Sequence, residues 1–517
     1  MARLTDYTNY ADAQRHYSKE ALWALFDGDR ERLNIGHECV DRHNRDAVAV
    51  RIAHDDGTDE TITFSALADT SNQFANYLLN SGMAKGDRVA IMLEPSLPFY
   101  VALFGAMKAG CVAVPLFTLF GPDGLRLRID DCRPKLLVTN NALAHLSADN
   151  HEIKTVVADN EFMSALDAEN SEFMPQTTSA DMAMYQYTSG TTRELPAAVK
   201  HRHRAVVTVI LAALYGTGIR PGDRFMCPSS PAWGHGLWHG TISPLALGVS
   251  TASYAGKFDP MRLMRAIQDY EITNIAAAAT HFRLMKNSGE ADNFTFCVEK
   301  LSFTGEPIDT DTAAWTEATF RTPVCSMYGT TEIGVILADY PGADDYKVKP
   351  GALGRPIPGI ELAVHDANGK DCPPGQNGEI VMKRRDGWFP TKDLGRIDEE
   401  GYFYHGGRAD DVIISAGYTM SAVEIEDVLL KHPDVDEAAV IGAPDDERGL
   451  VVKSFIVSKR PGDDIFAKEL QEFTASRLSR HEYPRRVAFV EALPKTPAGK
   501  VNRKMLREAE QAAQPKG

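Results

Sequence analysis

Several short runs of this chain put oxygen donors and flexible backbone where a polyphosphate or a metal ion would want them. In "YTSGTTRELPAAVK" the residues Thr188, Ser189, Gly190, Thr191 and Thr192 set hydroxyls around a glycine. Backbone N–H groups can approach phosphate oxygens there while the side chains add donors. The chain has no GxxxxGK run followed by Ser or Thr, so this is not the common P-loop. Taken alone, the run reads equally as a Ser/Thr-rich surface turn. In "SMYGTTEIG" Glu332 stands behind Thr330 and Thr331, with Tyr328 and Gly329 ahead of them. A carboxylate among hydroxyls suits Mg2+, and a tyrosine ring can cover a purine face. The same residues also spell a helix N-cap with a first-turn glutamate, and alone that plainer reading is favoured.

"FTGEPID" sets Gly305, Glu306 and Pro307 at the end of a strand, where α/β sheets bind ligands, although a structural turn is the default. "TKDLGRIDEEGYF" supplies Asp393, able to accept from ribose hydroxyls but more often solvated when isolated. "GGRADD" places Arg408, suited to bidentate contacts with phosphate or ribose, beside Asp410 and Asp411, a pair that can serve as a hinge. "PKTPAGKVNRK" carries Lys495 and Lys500 in a Pro/Gly loop whose plain reading is a solvated basic tail. "PAWGHGLWHG" groups Trp233, His235, Gly236, Trp238 and His239, which either line a pocket or fill a core.

The elements that must position these residues alternate. Phe64, Leu67, Phe74, Leu78 and Leu79 fall on one helical face, and "GDRVAIML" then reads as a buried strand. The pattern repeats through "SLPFYVALFGAMKAGCVAVPL", the helix near His203, "FDPMRLMRAIQDYEITNIAAA" and "LSFTGEPID", which predicts an α/β fold with parallel strands. From Gly351 short strands broken by Gly and Pro predict a β-rich subdomain. After Arg408 comes a smaller α+β unit: a helix over 421–431, strands near 438–441 and 451–457, and a helix over 465–479. The expected division is 1–407 and 408–517, a large N-terminal domain of α/β layers and a small mobile C-terminal domain.

At 517 residues the chain exceeds one ordinary core. Its net charge of -16 argues against a nucleic-acid partner, since any polyanion must find a local basic pocket. Seven cysteines, scattered and never in CxxC spacing, suit a reducing cytoplasm without structural zinc. The polar N-terminus shows no secretory signal, and no run reaches membrane-spanning length, so the expected location is cytoplasmic.

Each motif is weak alone, but their order and spacing resemble the adenylate-forming superfamily of acyl-CoA synthetases, peptide-synthetase adenylation domains and luciferases. The likeness runs over nearly the whole chain: Met107–Gly110, the TSGTT loop, YGTTE, the aspartate before GR-x-DD, and the terminal PKTPAGK. "NIGHECVDRHN" (34–44) and "GEPID" are similar to the acetyl-CoA and medium-chain acyl-CoA synthetase branch. The resemblance implies a two-step reaction in which a carboxylate and ATP give an acyl-adenylate and pyrophosphate, and the thiol of coenzyme A then gives acyl-CoA and AMP. The substrates would be a small carboxylic acid, ATP and CoA, with a homodimer left open.

By the same resemblance the catalytic residues are Lys500, Glu332 and Thr188, with Glu332 on Mg2+. The nucleotide is held by residues 188–192, Gly305, Glu306, Pro307, Tyr328, Gly329, Thr330, Thr331, Asp393, Arg408 and Lys500. Asp410 is the hinge, and Ser415, Ala416 and Gly417 line the CoA tunnel. Trp233, His235, Gly236, Trp238 and Gly329 form the acyl pocket. Acetate-specific relatives carry a tryptophan at the position of Gly329, so a medium-chain or aromatic acid is expected. The chain departs from the family pattern at Arg193, Ala197 and Ala198, leaving Arg193, Lys200 or Arg202 to replace the usual phosphate-loop lysine. It also departs at Lys392, where the family has glycine, and at Thr419. Two other readings are an adenylating enzyme that passes its acyl group to a carrier protein, and a non-catalytic nucleotide sensor.

Overall fold

The computed structural model describes residues 2–147, 153–187, 198–305, 308, 310–330, 333–366, 368–408, 412–415, 418–445, 447–479, 481–494, 501 and 503–512. The alternation in the sequence becomes two mainly parallel sheets. In the smaller sheet Lys154–Val157, Leu136–Thr139, Arg88–Met92, Val112–Pro115 and Met182–Tyr187 run parallel, in that order, and Ala198–Arg202 closes the edge antiparallel. In the larger one Val48–Ala53, Thr251–Tyr254, Phe225–Met226, Asn274–Ala278, Lys300–Thr304 and Cys325–Thr330 run parallel. The sheet then turns antiparallel through Gly334–Ala338 and continues into the short strands from Ala352 to Arg408. These are the β-rich stretch that the Gly and Pro punctuation predicts.

The helices Phe64–Asn80 and Leu97–Lys108 join the two sheets. The Thr63 and Ser96 side chains cap them by accepting from Ala66 N and Phe99 N, and Gly110, at φ +76°, releases the chain into the next strand. Their buried Phe64, Leu67, Phe74, Phe99, Leu103 and Phe104 share one core with Val50 and Ile52 of one sheet and Val89 and Ile91 of the other.

The run 34–44, which points to a family branch in sequence, is a structural clamp. Asn34 Nδ2 donates to Met107 O at 2.7 Å and to Thr177 Oγ1 at 3.0 Å. The fully buried ammonium of Lys108 meets Asp41 at 2.5 Å, Ser71 Oγ at 2.8 Å and Asn72 Oδ1 at 2.7 Å. A charge taken out of water needs partners of this kind.

The last part of the chain forms a three-stranded sheet of Val435–Asp445, Gly449–Ser458 and Arg486–Phe489. The strands are longer than the apolar runs predict, because polar residues such as Glu437 and Lys453 extend the pairing at the rims. Strand alternation gives the sheet two apolar faces. Ala438 and Val440 pack with Ile413, Met420 and the helices Ala422–Leu429 and Asp464–Ala475. Ala439 and Ile441 pack with Val501 and with Leu506 of Arg503–Ala512.

This unit meets the rest of the molecule along a seam made largely of main chain. Gly124 N donates to Arg477 O at 2.6 Å, Gly121 N donates to Leu478 O, and Phe120 bridges Ser479. A Cβ at Gly121 would run into the Ser476 carbonyl. Arg283 Nη1 adds a bond to Glu447 O at 2.6 Å.

Candidate active site

A single cavity of about 990 Å³ opens at the carboxyl ends of the parallel strands and reaches the C-terminal unit. Gly305, Tyr328, Gly329, Asp393, Trp233, His235 and Trp238 all line it, although they are spread over more than 150 positions of sequence. Lys300–Thr304 delivers Gly305, whose φ of +93° is open to glycine at little cost. Residues 325–330 deliver Tyr328 and Gly329, and the antiparallel pair Gly387–Ile397 and Phe403–Arg408 delivers Asp393.

At this end Tyr328 Oη donates to Asp393 Oδ2 at 2.5 Å, and His405 Nε2 lies 3.4 Å from Asp393 Oδ1. Asp393 is only 2% exposed, not solvated as isolated aspartates usually are. Its carboxylate is held in place by two neighbours while facing the cavity. Arg408 lies opposite it in register across the two strands. Lys392, just before it, adopts φ +64°, the left-handed conformation that glycine takes most easily.

The "SMYGTTEIG" run is not a helix start. Cys325–Thr330 and Gly334–Ala338 pair as an antiparallel hairpin, so the N-cap reading is overturned. The sequence could not reveal this, since Thr-Thr-Glu is equally at home at a cap and at a hairpin end. Gly329 sits where the strands come closest, and a Cβ there would run into the Gly334 carbonyl. The position is therefore not a simple vacancy left by a smaller side chain.

The opposite end is walled by aromatics and imidazoles. Trp233, His235, Trp238 and His239 come from the run 233–242, wound as a wide π-helix over His235–Ile242. His201 comes from the edge strand Ala198–Arg202 and packs its ring 4.8 Å from that of Trp238, whose Nε1 donates to Gln186 Oε1 at 2.9 Å. His235 Nδ1 lies 3.0 Å from Ser229 Oγ. Burial pushes His201 and His239 down to about 4, and His235 well below its ordinary value. Gly236 does not line the cavity. It lets the helix approach the Ser229 and Ser230 carbonyls, which any Cβ would strike, so its expected place in the acyl pocket is corrected to a packing role.

The strand ends beside the hydroxyl-rich loop are pinned to one carboxylate. Tyr187 Oη donates to Asp131 Oδ2 at 2.7 Å, and Ala198 N donates to the same oxygen at 3.3 Å. Lys200 lines the cavity, with its ammonium 5.1 Å from the Tyr185 ring. Arg202 is turned to Ala180 O at 2.5 Å, which removes it as a stand-in for the phosphate-loop lysine.

At the mouth of the cavity, Val412–Ser415 and Tyr418–Ser421 form a hairpin in which Ser415 is paired with Tyr418 and buried. The Tyr418 ring stacks on His481 at 4.2 Å and lies 6.1 Å from Phe117 and 6.5 Å from Trp233. Thr330 and Arg408 are placed as strand ends. Thr188, Ser189, Gly190, Thr191, Thr192, Arg193, Glu306, Pro307, Thr331, Glu332, Asp410, Ala416, Gly417, Lys495 and Lys500 lie outside the described residues. Among the described residues no group of three His, Cys, Asp or Glu is arranged to hold a metal ion, and no helix is long and apolar enough to cross a membrane.

Sequence reasoning missed His201, His405, Asp339 and Tyr418. Strand alternation sets His201 and His405 each on one face of a sheet, but only the fold shows which face meets the cavity. Asp339 is 2% exposed and pushed up to about 7 by burial, while accepting from Ser326 N at 2.8 Å.

Comparisons with known proteins agree with this geometry. Residues 37–388 match the family described as AMP-binding enzyme, and residues 424–500 match the AMP-binding enzyme C-terminal domain. An acetyl-coenzyme A synthetase of Bacillus subtilis (strain 168) is 29% identical, over 96% of this chain and 94% of its own. A mitochondrial acyl-coenzyme A synthetase of Mus musculus is 28% identical, over 98% and 89%. The crystal structure of a Brucella canis acyl-CoA synthetase matches with a TM-score of 0.74 at 31% identity, covering 98% of this chain and 100% of that one. The chain belongs to the AMP-binding enzyme family, within the adenylate-forming superfamily that includes the acyl-CoA synthetases.

Proposed function

We propose that this protein is an ATP-dependent acyl-CoA synthetase acting on a medium-chain or aromatic carboxylic acid, releasing AMP and pyrophosphate. The observation that carries the reading is the single cavity, with Tyr328 and Asp393 at one end, an aromatic and imidazole wall at the other, and the C-terminal hairpin at its mouth. In this reading the Tyr328 ring covers the adenine and the Asp393 carboxylate accepts from the ribose hydroxyls. Residues 188–192, Gly305, Glu306, Pro307, Thr330, Thr331 and Arg408 complete the nucleotide site. Mg2+ would be held by Glu332, where it would offset phosphate charge. A carboxylate attacking the α-phosphate meets like charge, which the ammonium of Lys500 neutralises. Lys200, on the wall beside the loop, supplies the remaining cation, so Lys200→Ala raises the KM for ATP.

The boundary at 407/408, with Asp410 as hinge, supports a division of labour between the two faces of the C-terminal sheet. The hairpin carrying Ser415 packs on one face, while Val501, next to Lys500, packs on the other. Turning the unit would exchange one for the other at the cavity. With Tyr418 at the mouth, the arrangement suits thioester formation, with Ser415, Ala416 and Gly417 along the path of CoA.

AMP release by purified protein, with and without CoA, across aliphatic, branched and aryl acids tests the proposal. CoA-dependent AMP and thioester formation with at least one acid is expected. Adenylation without a CoA thioester would move the acyl group to a carrier protein, and background ATP–pyrophosphate exchange with every acid would leave only a nucleotide sensor.

A further inference from the structure

The helix Ala205–Leu211 presents a single face to solvent, and it is the face turned to the cavity. Ala205, Thr208, Val209 and Ala212 line the cavity at the i, i+3, i+4, i+7 spacing of one helical stripe. Val206, Val207, Ile210 and Leu211, on the other side, are buried. Exposure falls along the stripe: Thr208 is exposed, Val209 is half-buried and Ala212 is buried. The strand Gly334–Ala338 packs beside this helix and repeats the gradient. Gly334 lines the cavity and is exposed, Val335 is half-buried and Ile336 is buried. Apart from its chain neighbours, a Cβ built on Gly334 meets no atom of the described residues within 4 Å. The cavity therefore has a side opening between helix and strand, with Thr208 and Gly334 on its rim and Ala212, Val335 and Met327 deeper in.

We infer that the acid bound at this site extends through this opening, so that its far end lies outside the cavity and the site sets no upper limit on the size of that end. The inference rests on the synthetase reading and defines the substrate class within it: carboxylic acids with an apolar chain that can carry a bulky or polar group at the far end. The deeper wall, Val209, Ala212, Met327 and Val335, is made of apolar side chains and takes methylene groups out of water. The rim, a threonine and an exposed glycine, leaves a polar end group in contact with water instead of stranding it in an apolar pocket. A pocket closed at its end rejects a chain that overfills it, because a packed wall does not absorb extra atoms. An open end has no such wall.

The test compares undecanoate with 11-(dansylamino)undecanoate, the same chain with a bulky group at its end, and kcat/KM is measured for both by CoA-dependent AMP release. A closed pocket discriminates by about tenfold to 200-fold over a single methylene, whereas these two acids are expected to differ by about threefold or less. Thr208→Trp sets an indole across the rim and lowers the ratio of tagged to untagged acid by about tenfold or more, and Ala205→Trp, one turn earlier on the same stripe, lowers it too. Thermal melts establish that each variant is folded. Binding of the tagged acid to the protein with AMP is followed by dansyl fluorescence, with undecanoate as competitor, and iodide is expected to quench the bound dansyl group. Undecanoate refused while shorter acids react, a tagged acid rejected about tenfold or more by the wild type, a ratio unmoved by both tryptophan variants, or a bound dansyl group shielded from iodide would overturn the inference. Failure of AMP release with every acid removes the synthetase reading, and the quenching measurement then decides the open end separately.

Discussion

The two ends of the cavity both use histidine, to opposite effect. At the nucleotide end His405 reaches a carboxylate, Asp393, which Tyr328 also holds. At the opposite end His201, His235 and His239 have no acidic partner among the described residues, and burial, joined at His235 by the neighbouring imidazoles of His239 and His281, holds them below their ordinary value. The residue type is the same, and the neighbour within hydrogen-bond reach decides what it does.

The comparison can be broken most severely from the nucleotide side. Lys500→Ala is expected to lower ATP–pyrophosphate exchange by about 100- to 1000-fold, the usual effect of losing one electrostatic stabiliser. Thioester formation from a supplied acyl-adenylate falls far less, and equal losses in both assays would contradict the division between the two sheet faces. Asp393→Asn keeps the shape and removes the charge. It raises the KM for ATP by about tenfold or more, consistent with about 1–3 kcal/mol for a buried hydrogen-bonding group, while the KM for the acid stays unchanged.

Acid sharpens the contrast from the other end. The folded-state pKa values of His201 and His239, about 4 each, lie below their unfolded value. They favour folding above pH 6.5, and that contribution disappears as pH falls toward 4. Asp339 has the opposite sign, because its raised pKa of about 7 favours folding below pH 4 and that contribution is lost as pH rises through 7. Thermal melts should show the wild type losing stability from pH 6.5 to 4, and Asp339→Asn losing it more steeply. A flat profile in both would contradict the burial of neutral imidazoles. The smallest effect belongs to Lys392→Gly, which relieves a left-handed backbone and should stabilise the fold by about 0.5–1 kcal/mol in urea unfolding.

Much of this architecture is written in the sequence. The helices 64–80 and 97–108 and the strands after them follow from periodicity, a capping threonine and serine, and Gly110. The site is only partly legible. Asp393 and Tyr328 are named by their motifs, but the bond between them depends on a strand register that brings residue 328 to residue 393 across three intervening strands of the sheet. Residues 326–334 mislead because short Thr/Glu runs encode a helix start and a hairpin end alike. Gly236 misleads because a glycine among pocket residues can serve the backbone behind the wall. His201 and His405 escape notice because an isolated histidine in a strand carries no signal of which face meets the cavity.

The seam at Gly121 and Gly124 has a consequence of another kind. Its bonds join main chain to main chain, so they do not depend directly on which side chains stand at 477 and 478, although Leu478 is held by the C-terminal core and Arg477 pairs with Asp123. Two glycines three residues apart, one of which has no room for a methyl group, bring the main chains together at this seam. Such a latch is modular: it can be disabled by Gly121→Ala with both domains' cores untouched. It can also be grafted between relatives by matching a loop conformation, with no need to transplant a complementary surface.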